Sequence, residues 1–587
     1  MLKSIIIVSI LWIIADAARI LVVLLEPSYS HQVAYRPIMI ELAQRGHELT
    51  VFTPIPMNDS SLQNYTEVKL EYSSYKVDEK MDVFAYGKLG VQSILDDFYH
   101  RNEEMTDSAL SNPVMQQLIS PNYTEKFDLV IVEFLFYDAF YALSYRFNAP
   151  LIGISSASLL TVHHYAFGNP ILWSHLPDLL VNDLDDEMNF IHRFYNAYYS
   201  LFQIYWHKYK IIPVQEKMVR KYFGDSVPPA HKLVSNMALL LSNYHPFLSP
   251  NPYAQEIIPI RGSRPIITQK NHSLPQDLQK ELDDATKGFI YFSLGSNIRG
   301  VFLSDERRNM FRKTFEKLPY KIVWKFESDF PDKPNNVIIR NWLPQHEILS
   351  HPNIRLFIYQ GGLQSTEEAI ENGIPMIGFP VVADQYYNIK QLVKYGSGKS
   401  FSITDVTEDE LRETIYEVIT NSSYKENMLK LRNLLHDRPY DELNYAVWWI
   451  EHVIRHKGAP HLRNKLRDMP WYKTQLWDII GFTLLVLLVS VYSLYHFITR
   501  GQLWNIIIIL TLVYLFPFIV YIFIIIKLFT YICSLYHFIR VSYYLRRLYY
   551  LSTKLRTYTY VIFSKNSKCV SIEKKKQECD NIKLKTL

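Results

Sequence analysis

From Trp342 to Gln385 the chain reads WLPQHEILSHPNIRLFIYQGGLQSTEEAIENGIPMIGFPVVADQ, and this stretch decides the fold. The run Arg355–Tyr359 is apolar and β-like, and Gly361-Gly362 break it. Ser365-Thr366 open an amphipathic helix that stops at Gly373, with Pro375 just beyond. A strand, a Gly-rich turn and a helix N-terminus make an anion site, because unpaired backbone N–H groups and the helix dipole converge there. A second loop of this kind, Gly295-Ser296-Asn297, follows the apolar strand Phe289–Leu294. Two such loops in one half of the chain predict a diphosphate gripped without a metal.

At these residues the sequence resembles the UDP-glycosyltransferase signature, that of the UDP-glucuronosyltransferases and their insect-type UDP-glucosyltransferase relatives. The resemblance runs from about Leu21 to His456. It implies that Trp342 stacks on uracil with Gln345 beside that base. It assigns phosphate contacts to Ser296 and Ser365, with Gly362 in the donor-binding turn. It places Glu368 on the ribose hydroxyls, and Asp384 with Gln385 on the sugar hydroxyls. The residue types suit these roles: an indole offers a stacking face, a carboxylate accepts from paired hydroxyls, and a Gly-Gly turn lets backbone approach phosphate.

The 587 residues exceed one domain, and the net charge of +4 is unremarkable until it is located. The opening MLKSIIIVSILWIIADA joins Lys3, an apolar run and Ala15-Asp16-Ala17. It reads as a cleaved signal peptide over residues 1–17, with an uncleaved short anchor as the alternative. Behind such a signal, the sequons at Asn58, Asn64, Asn122, Asn271 and Asn421 predict a glycoprotein. Cys533, Cys569 and Cys579 all lie beyond the C-terminal apolar block. The predicted lumenal part therefore has no disulfide, no cysteine nucleophile and no cysteine-ligated metal.

Residues 479–498 are apolar enough and long enough to span a bilayer as a transmembrane helix. A second apolar segment, 503–532, is interrupted by Pro517 and Lys527, and its topology stays open. The tail, 533–587, carries 12 Lys/Arg against 3 Asp/Glu, which places it in the cytosol. Its ending Lys583-Leu584-Lys585-Thr586-Leu587 resembles a dilysine endoplasmic-reticulum retrieval signal. A lumenal enzyme with a cytosolic tail needs an odd number of crossings, so one effective span is expected. The string SLYHFI at both Ser493–Ile498 and Ser534–Ile539 hints at local duplication of the membrane exit.

Upstream, an apolar strand Ile20–Leu25, a turn Pro27–His31, a helix to Gln44 and a strand Glu48–Thr53 make a βαβ start. A parallel sheet covered on both faces follows from that pattern. Residues 18–250 form an N-terminal domain that binds the acceptor, mainly through an aromatic helical insertion between Pro170 and Pro229. Five prolines between Ser249 and Pro275 place a linker at 251–275. Residues 276–473 form the UDP-sugar-binding domain. Two Rossmann-like domains facing a cleft match the GT-B fold that the resemblance implies, so the class is α/β with a C-terminal transmembrane segment.

The segment EPSYSHQVAYRP resembles the family's first strand–loop–helix, which makes His31 the catalytic base. A histidine beside a helix N-terminus is discouraged from protonating, although Pro37 suggests that the helix starts only near Arg36. The family's orienting aspartate corresponds here to Glu133, with Asp138 in reserve. Gln360 stands where the family has a histidine before the Gly-Gly pair. It donates a hydrogen bond but carries no positive charge. Asp183-Leu184-Asp185 satisfies an Asp-x-Asp pattern but sits in an acidic polar run, so it reads as a solvated helix start.

The expectation is an inverting hexosyltransferase of the endoplasmic-reticulum membrane, with its catalytic part lumenal. It moves glucose rather than glucuronic acid from UDP-glucose or UDP-glucuronate to a small lipophilic acceptor hydroxyl, a detoxification-type conjugation. No cofactor, metal or nucleic-acid partner is expected, and a homo-oligomer is left open. The alternative is a UDP-sugar-binding protein of the same fold, impaired because Gln360 replaces the histidine.

Overall fold

The computed structural model describes residues 17–72, 91–181, 187–249, 251–262 and 273–500, with isolated positions at 84, 184, 527 and within 540–552. Residues 1–16 of the signal peptide, Asp183, Asp185, Asn271, the second apolar segment except Lys527, and the three cysteines lie outside the described residues. Asn58, Asn64, Asn122 and Asn421 are exposed. Residues to Asp468 form one compact unit and those from Met469 a second.

Two parallel sheets make up the first unit. One contains β1 (Arg19–Val23), β2 (Glu48–Thr53), β3 (Tyr65–Lys69), β4 (Leu129–Glu133), β5 (Leu151–Ser155), β6 (Met237–Asn243) and β7 (Ile257–Ile260), in the order β3-β2-β1-β4-β5-β6-β7. The other contains β8 (Phe289–Ser293), β9 (Lys321–Lys325), β10 (Val337–Arg340), β11 (Ile354–Tyr359), β12 (Met376–Gly378) and β13 (Gly398–Ser400), in the order β10-β9-β8-β11-β12-β13. Each order reverses once, between β1 and β4 and between β8 and β11. At such a reversal the loops leaving neighbouring strand ends diverge and open a crevice for ligand.

Alternation along the strands explains the double cover. Ile20 and Val22 face a layer with Ala34, Tyr35 and Ile38 of the helix Tyr29–Gln44, whereas Leu21 and Val23 face Met105, Leu110 and Phe140. In the second sheet Phe289 and Tyr291 pack on Leu278, Ile370 and Leu431, while Ile290 and Phe292 pack on Phe311 and Ile415. Side chains alternate with period two, so a strand apolar at every position is buried on both faces.

Several boundaries differ from the sequence reading. The helix begins at Tyr29, so His31 lies in its first turn and Pro37 inside it. Burial of Ala34, Ile38 and Leu42 on the sheet outweighs what Pro37 costs the helix. The helix after Gly362 starts at Leu363, two residues before Ser365. The stretch read as a linker contains β7, which pairs with β6, so the first sheet extends to Ile260. The helix Glu442–His456, read as part of the second domain, packs Ala446, Val447, Ile450 and Val453 into the core of the first. A capping box opens the helix Glu408–Thr420, with Glu410 reaching back to the Thr407 N–H.

In the second unit one helix runs Trp477–Arg500 and includes the expected 479–498 stretch. Its segment Trp477–His496 is the one described helix long and apolar enough to cross a membrane, by length and composition.

Candidate active site

The crevice between β1 and β4 is built around Glu133, the last residue of β4 and 1 % exposed. One carboxylate oxygen, Oε2, accepts from the N–H groups of Leu25 (2.7 Å) and Glu26 (2.8 Å) at the end of β1. The other, Oε1, meets the Tyr35 hydroxyl (3.1 Å) and Nδ1 of His31 (3.1 Å). Four partners on two elements hold a buried charge with no lone pair wasted. Contact through Nδ1 leaves Nε2 of His31 free, and 26 % of that side chain is exposed.

Burial pulls His31 toward neutrality, but the hydrogen bond and charge of Glu133, helped by Glu26 and Asp384, outweigh it and raise its pKa. This corrects the expectation that a helix N-terminus holds the ring neutral: the carboxylate is nearer and carries a full charge. Asp138, the reserve, serves another ring, lying 3.4 Å from Nε2 of His207. Glu133 ends β4 and Asp138 follows five residues later, and each takes its own histidine.

In the second sheet the two Gly-rich loops leave β8 and β11 side by side. Gly361 has φ +99°, and a Cβ there would lie 2.7 Å from the carbonyl oxygen of Gln385, so glycine is needed for both reasons. Gln360 spans the two loops: its Nε2 lies where a Cβ on Gly295 or Gly362 would intrude, 2.2 and 2.9 Å away. The side chain is buried and its Oε1 has no hydrogen-bond partner among the described residues. Beyond the turn, the first hydrogen-bonded helix amide is Thr366 N–H on Gly362 O, so the N–H groups of Leu363, Gln364 and Ser365 have no partner among the described residues.

Gln345 donates through Nε2 to Ser365 Oγ (2.9 Å) and Glu368 Oε2 (2.5 Å), bringing three predicted residues together. Burial lifts the Glu368 carboxyl to about 7, against the lowering effect of that hydrogen bond. Trp342 is 54 % exposed, as a stacking face must be. Asp384 receives Nδ2 of Asn388 (2.9 Å), and the same amide group donates to Gly361 O (3.0 Å), tying this carboxylate to the turn. Burial raises Asp384, while Asn388 and His31 pull it down. Gln385 is turned inward, its Oε1 accepting from the N–H groups of Val381 and Val382.

The halves meet over this crevice. Ser28 and Asn297 exchange hydrogen bonds (2.9 and 3.1 Å), Tyr29 and Trp342 meet edge to face with ring centroids 4.9 Å apart, and Gln364 donates to Ser156 O (2.9 Å). His31 and Asp384, from different halves, feel each other electrostatically. Ser296 is only half-buried and bonds within its own loop, to Asn297 at 3.4 Å.

The aromatic insertion divides into two parts. Phe136, Val162, Leu180, Trp206 and Ile211 form an apolar cluster against which Ala383 packs, next to Asp384. Phe136 is its hub: the residue holds φ 61°, its carbonyl accepts from Asn102 (2.7 Å), and its ring touches His163, Trp206 and His207. On the rest of the helix Phe190–Trp206, Phe190, Phe194, Tyr195, Tyr198 and Tyr205 face solvent, whereas Tyr199 and Phe202 pack inward. Sequence reasoning missed Tyr35, although its i+4 spacing from His31 was available. It also missed Lys325, whose Nζ lies 5.5 Å over the Trp342 ring and 2.6 Å from Glu327.

Residues 18–504 match the family described as UDP-glucoronosyl and UDP-glucosyl transferase. The chain is 33 % identical to UDP-glycosyltransferase UGT5 of Dactylopius coccus, over 78 % of this chain and 88 % of that one. It is 29 % identical to UDP-glucuronosyltransferase 2B7 of Homo sapiens, over 80 % and 90 % respectively. Among solved structures, the glycotransferase of kitacinnamycin superposes with a TM-score of 0.51 at 18 % identity, covering 74 % of this chain and 99 % of its own. That likeness concerns the fold, which is the two-domain GT-B architecture.

Proposed function

The chain belongs to the UDP-glucoronosyl and UDP-glucosyl transferase family, and from that premise we propose an inverting transfer of glucose from UDP-glucose to the hydroxyl of a small lipophilic acceptor. The observation that carries the reading is the His31–Glu133 pair, fixed by four contacts and left open at Nε2. Nε2 takes the acceptor's proton as its oxygen bonds to the anomeric carbon. The bond from that carbon to the diphosphate breaks on the opposite face, and UDP leaves with the electron pair. Glu133 stabilises the imidazolium so formed.

On the donor side, Trp342 stacks on uracil while Gln345 and Glu368 take the base and ribose. Ser296, Ser365, Gly362 and the open helix amides receive the diphosphate, and Asp384 with Gln385 orients the sugar. Charge that develops on UDP meets oriented N–H groups, so no metal or cofactor is required. The acceptor lies against the Phe136 cluster. The protein works in the endoplasmic-reticulum membrane with its catalytic part lumenal, held by the helix that includes Trp477–His496.

Gln360 favours a second reading, a donor-binding protein with impaired turnover, because its amide supplies one hydrogen bond and no charge. Incubation with radiolabelled UDP-glucose or UDP-glucuronate and a panel of phenols, with and without EDTA, tests both. Product from UDP-glucose, lost in His31→Ala, supports the enzyme, whereas UDP-glucose bound without product supports the second reading. Gln360→His discriminates further: a charged donor at that point raises kcat about tenfold if leaving-group stabilisation limits the rate.

A further inference from the structure

Glu133 and Asp138 each meet a histidine, but the transfer step uses only the first pair. Between the two carboxylates Phe136 holds φ 61°, and Ala383, which packs against the same cluster, holds φ 55°. Non-glycine residues in the left-handed region are strained, and such strain collects at ligand sites. His207 stands on the π-helical turn His207–Ile211, an irregularity frequent at functional sites.

Around the Phe136 ring, hydrogen-bonding capacity goes unused. His163 and His207 flank it with centroids 5.3 and 5.7 Å away, and Trp206 lies at 5.6 Å. Burial, with His207 and His164 adding to it, pushes the His163 pKa down to about 3, so that ring is neutral. Its Nδ1 accepts from the Leu160 N–H (3.4 Å), which leaves the proton on Nε2. That buried N–H has no partner among the described residues, and neither has the indole Nε1 of Trp206. His207 is the complement. Its Nε2 faces Asp138 (3.4 Å), so in the neutral ring that nitrogen keeps the proton and Nδ1 presents a lone pair. Buried donors without partners are costly, and each calls for an occupant.

We propose that His163 and His207 form a second recognition point for the acceptor, specific for a hydroxyl remote from the one that reacts. A hydroxyl accepts from Nε2–H of His163 and donates to Nδ1 of His207, whereas a carbonyl or ether can only accept and an ammonium only donates. Asp138 is a positioning residue: it fixes the His207 tautomer as Glu133 fixes that of His31. Phe136, Val162 and Leu180 take the hydrocarbon between the two hydroxyls. Ala383 joins this cluster to Asp384, which feels the charge of His31, so the reacting end lies beside it. The acceptor class is therefore a lipophilic diol rather than a simple phenol. This rests on the reading above that the acceptor lies against the Phe136 cluster.

The full chain is assayed with two acceptor pairs, hydroquinone against phenol and dihydroxybiphenyl against hydroxybiphenyl, using whichever of UDP-glucose and UDP-glucuronate it turns over. Two equivalent reactive ends alone give a diol a ratio of about two in kcat/KM, and about twentyfold is expected for the better-fitting pair. In His207→Phe the ratio falls to about two, through KM rather than kcat, with UDP affinity retained. If that variant loses UDP binding, His163→Phe replaces it, with the same expectation. A wild-type ratio of about two, or a raised ratio that the variant retains, overturns the proposal and leaves the transfer reading intact, with internal water as the occupant. An equal loss for both members of a pair makes His207 structural and overturns it as well. If the wild type forms no product, the transfer reading falls, and the same pairs are titrated by calorimetry into UDP-saturated protein. A diol preference of about tenfold in Kd, lost in the variant, then upholds the proposal, and equal Kd values overturn it.

Discussion

Glu133→Gln keeps the shape at the end of β4 but cannot supply two charged acceptor oxygens to four donors. With its partner charge removed, His31 returns toward or below its ordinary pKa, and the imidazolium formed in transfer is no longer stabilised. The wild-type ring, raised by Glu133, becomes a free base only above the usual histidine pKa, so kcat/KM should rise with pH through that raised value. The linked stability runs oppositely: it is complete below about pH 6.5 and lost as pH rises through the folded pKa. Glu133→Gln is expected to lower kcat about 10²–10⁴-fold and shift the pH limb downward, with UDP affinity retained. Asp138→Asn, acting on His207, should leave the limb in place. An unshifted limb in Glu133→Gln would remove His31 as the base.

Glu368 provides a second titration in which stability again falls as pH rises, here because burial disfavours the charged carboxylate. Its carboxyl is lifted to about 7 in the folded chain, against an ordinary 4.5. Between those values the native state keeps a proton that the unfolded chain has lost, so stability falls as pH rises across that window. Glu368→Gln removes this dependence and should gain on the order of 1–3 kcal/mol at pH 8 in thermal melts, the group being only partly buried. The same change should weaken UDP binding about tenfold, because an amide accepts poorly from paired hydroxyls. A functional carboxylate held at a cost in stability is the trade expected of a binding site.

Among the elements, the strand–Gly-Gly–helix unit was the most legible in the sequence because its information is local. A β-like run, two glycines and a capped amphipathic run leave one reading. Gly361→Ala tests it: the new Cβ meets Gln385 O at 2.7 Å and Ile389 at φ +99°, neither of which yields cheaply. A loss of about 1–3 kcal/mol in denaturant melts is expected, along with loss of UDP binding. A variant that melts like wild type would show that the turn is not as tight as described. The helix Tyr29–Gln44 was misread at its start because Pro37 is a strong local signal, yet sheet packing overrode it. The Phe190–Trp206 helix shows another limit: its apolar periodicity is real, but periodicity does not say which way a stripe faces. Strand order was not legible at all, since β1 pairs with β4 across more than a hundred residues of chain.

At the scale of the whole first unit, the division into halves was readable from two βαβ patterns, but its seams were not. The chain finishes the first sheet inside a proline-rich stretch, builds the second, and returns through Glu442–His456 to the first. The return is fastened by Arg467 on Glu256 (3.2 Å), both buried, and Arg261 joins Glu371 and Glu442. The halves are therefore tied at one side, and the Ser28–Asn297 exchange bridges them across the crevice. That exchange links the loop after β8, proposed above to face the donor, to the N-cap of the helix carrying His31. Asn297→Ala removes both hydrogen bonds without touching His31 or Trp342. If this bridge aligns base and donor, kcat should fall about 3- to 10-fold, as expected when a positioning contact is lost, while the equilibrium Kd for UDP changes less than twofold. Calorimetry for UDP beside steady-state transfer separates the two quantities. A weakened Kd with unchanged kcat would make Asn297 a donor contact instead, and an unchanged pair would mean the halves align without it.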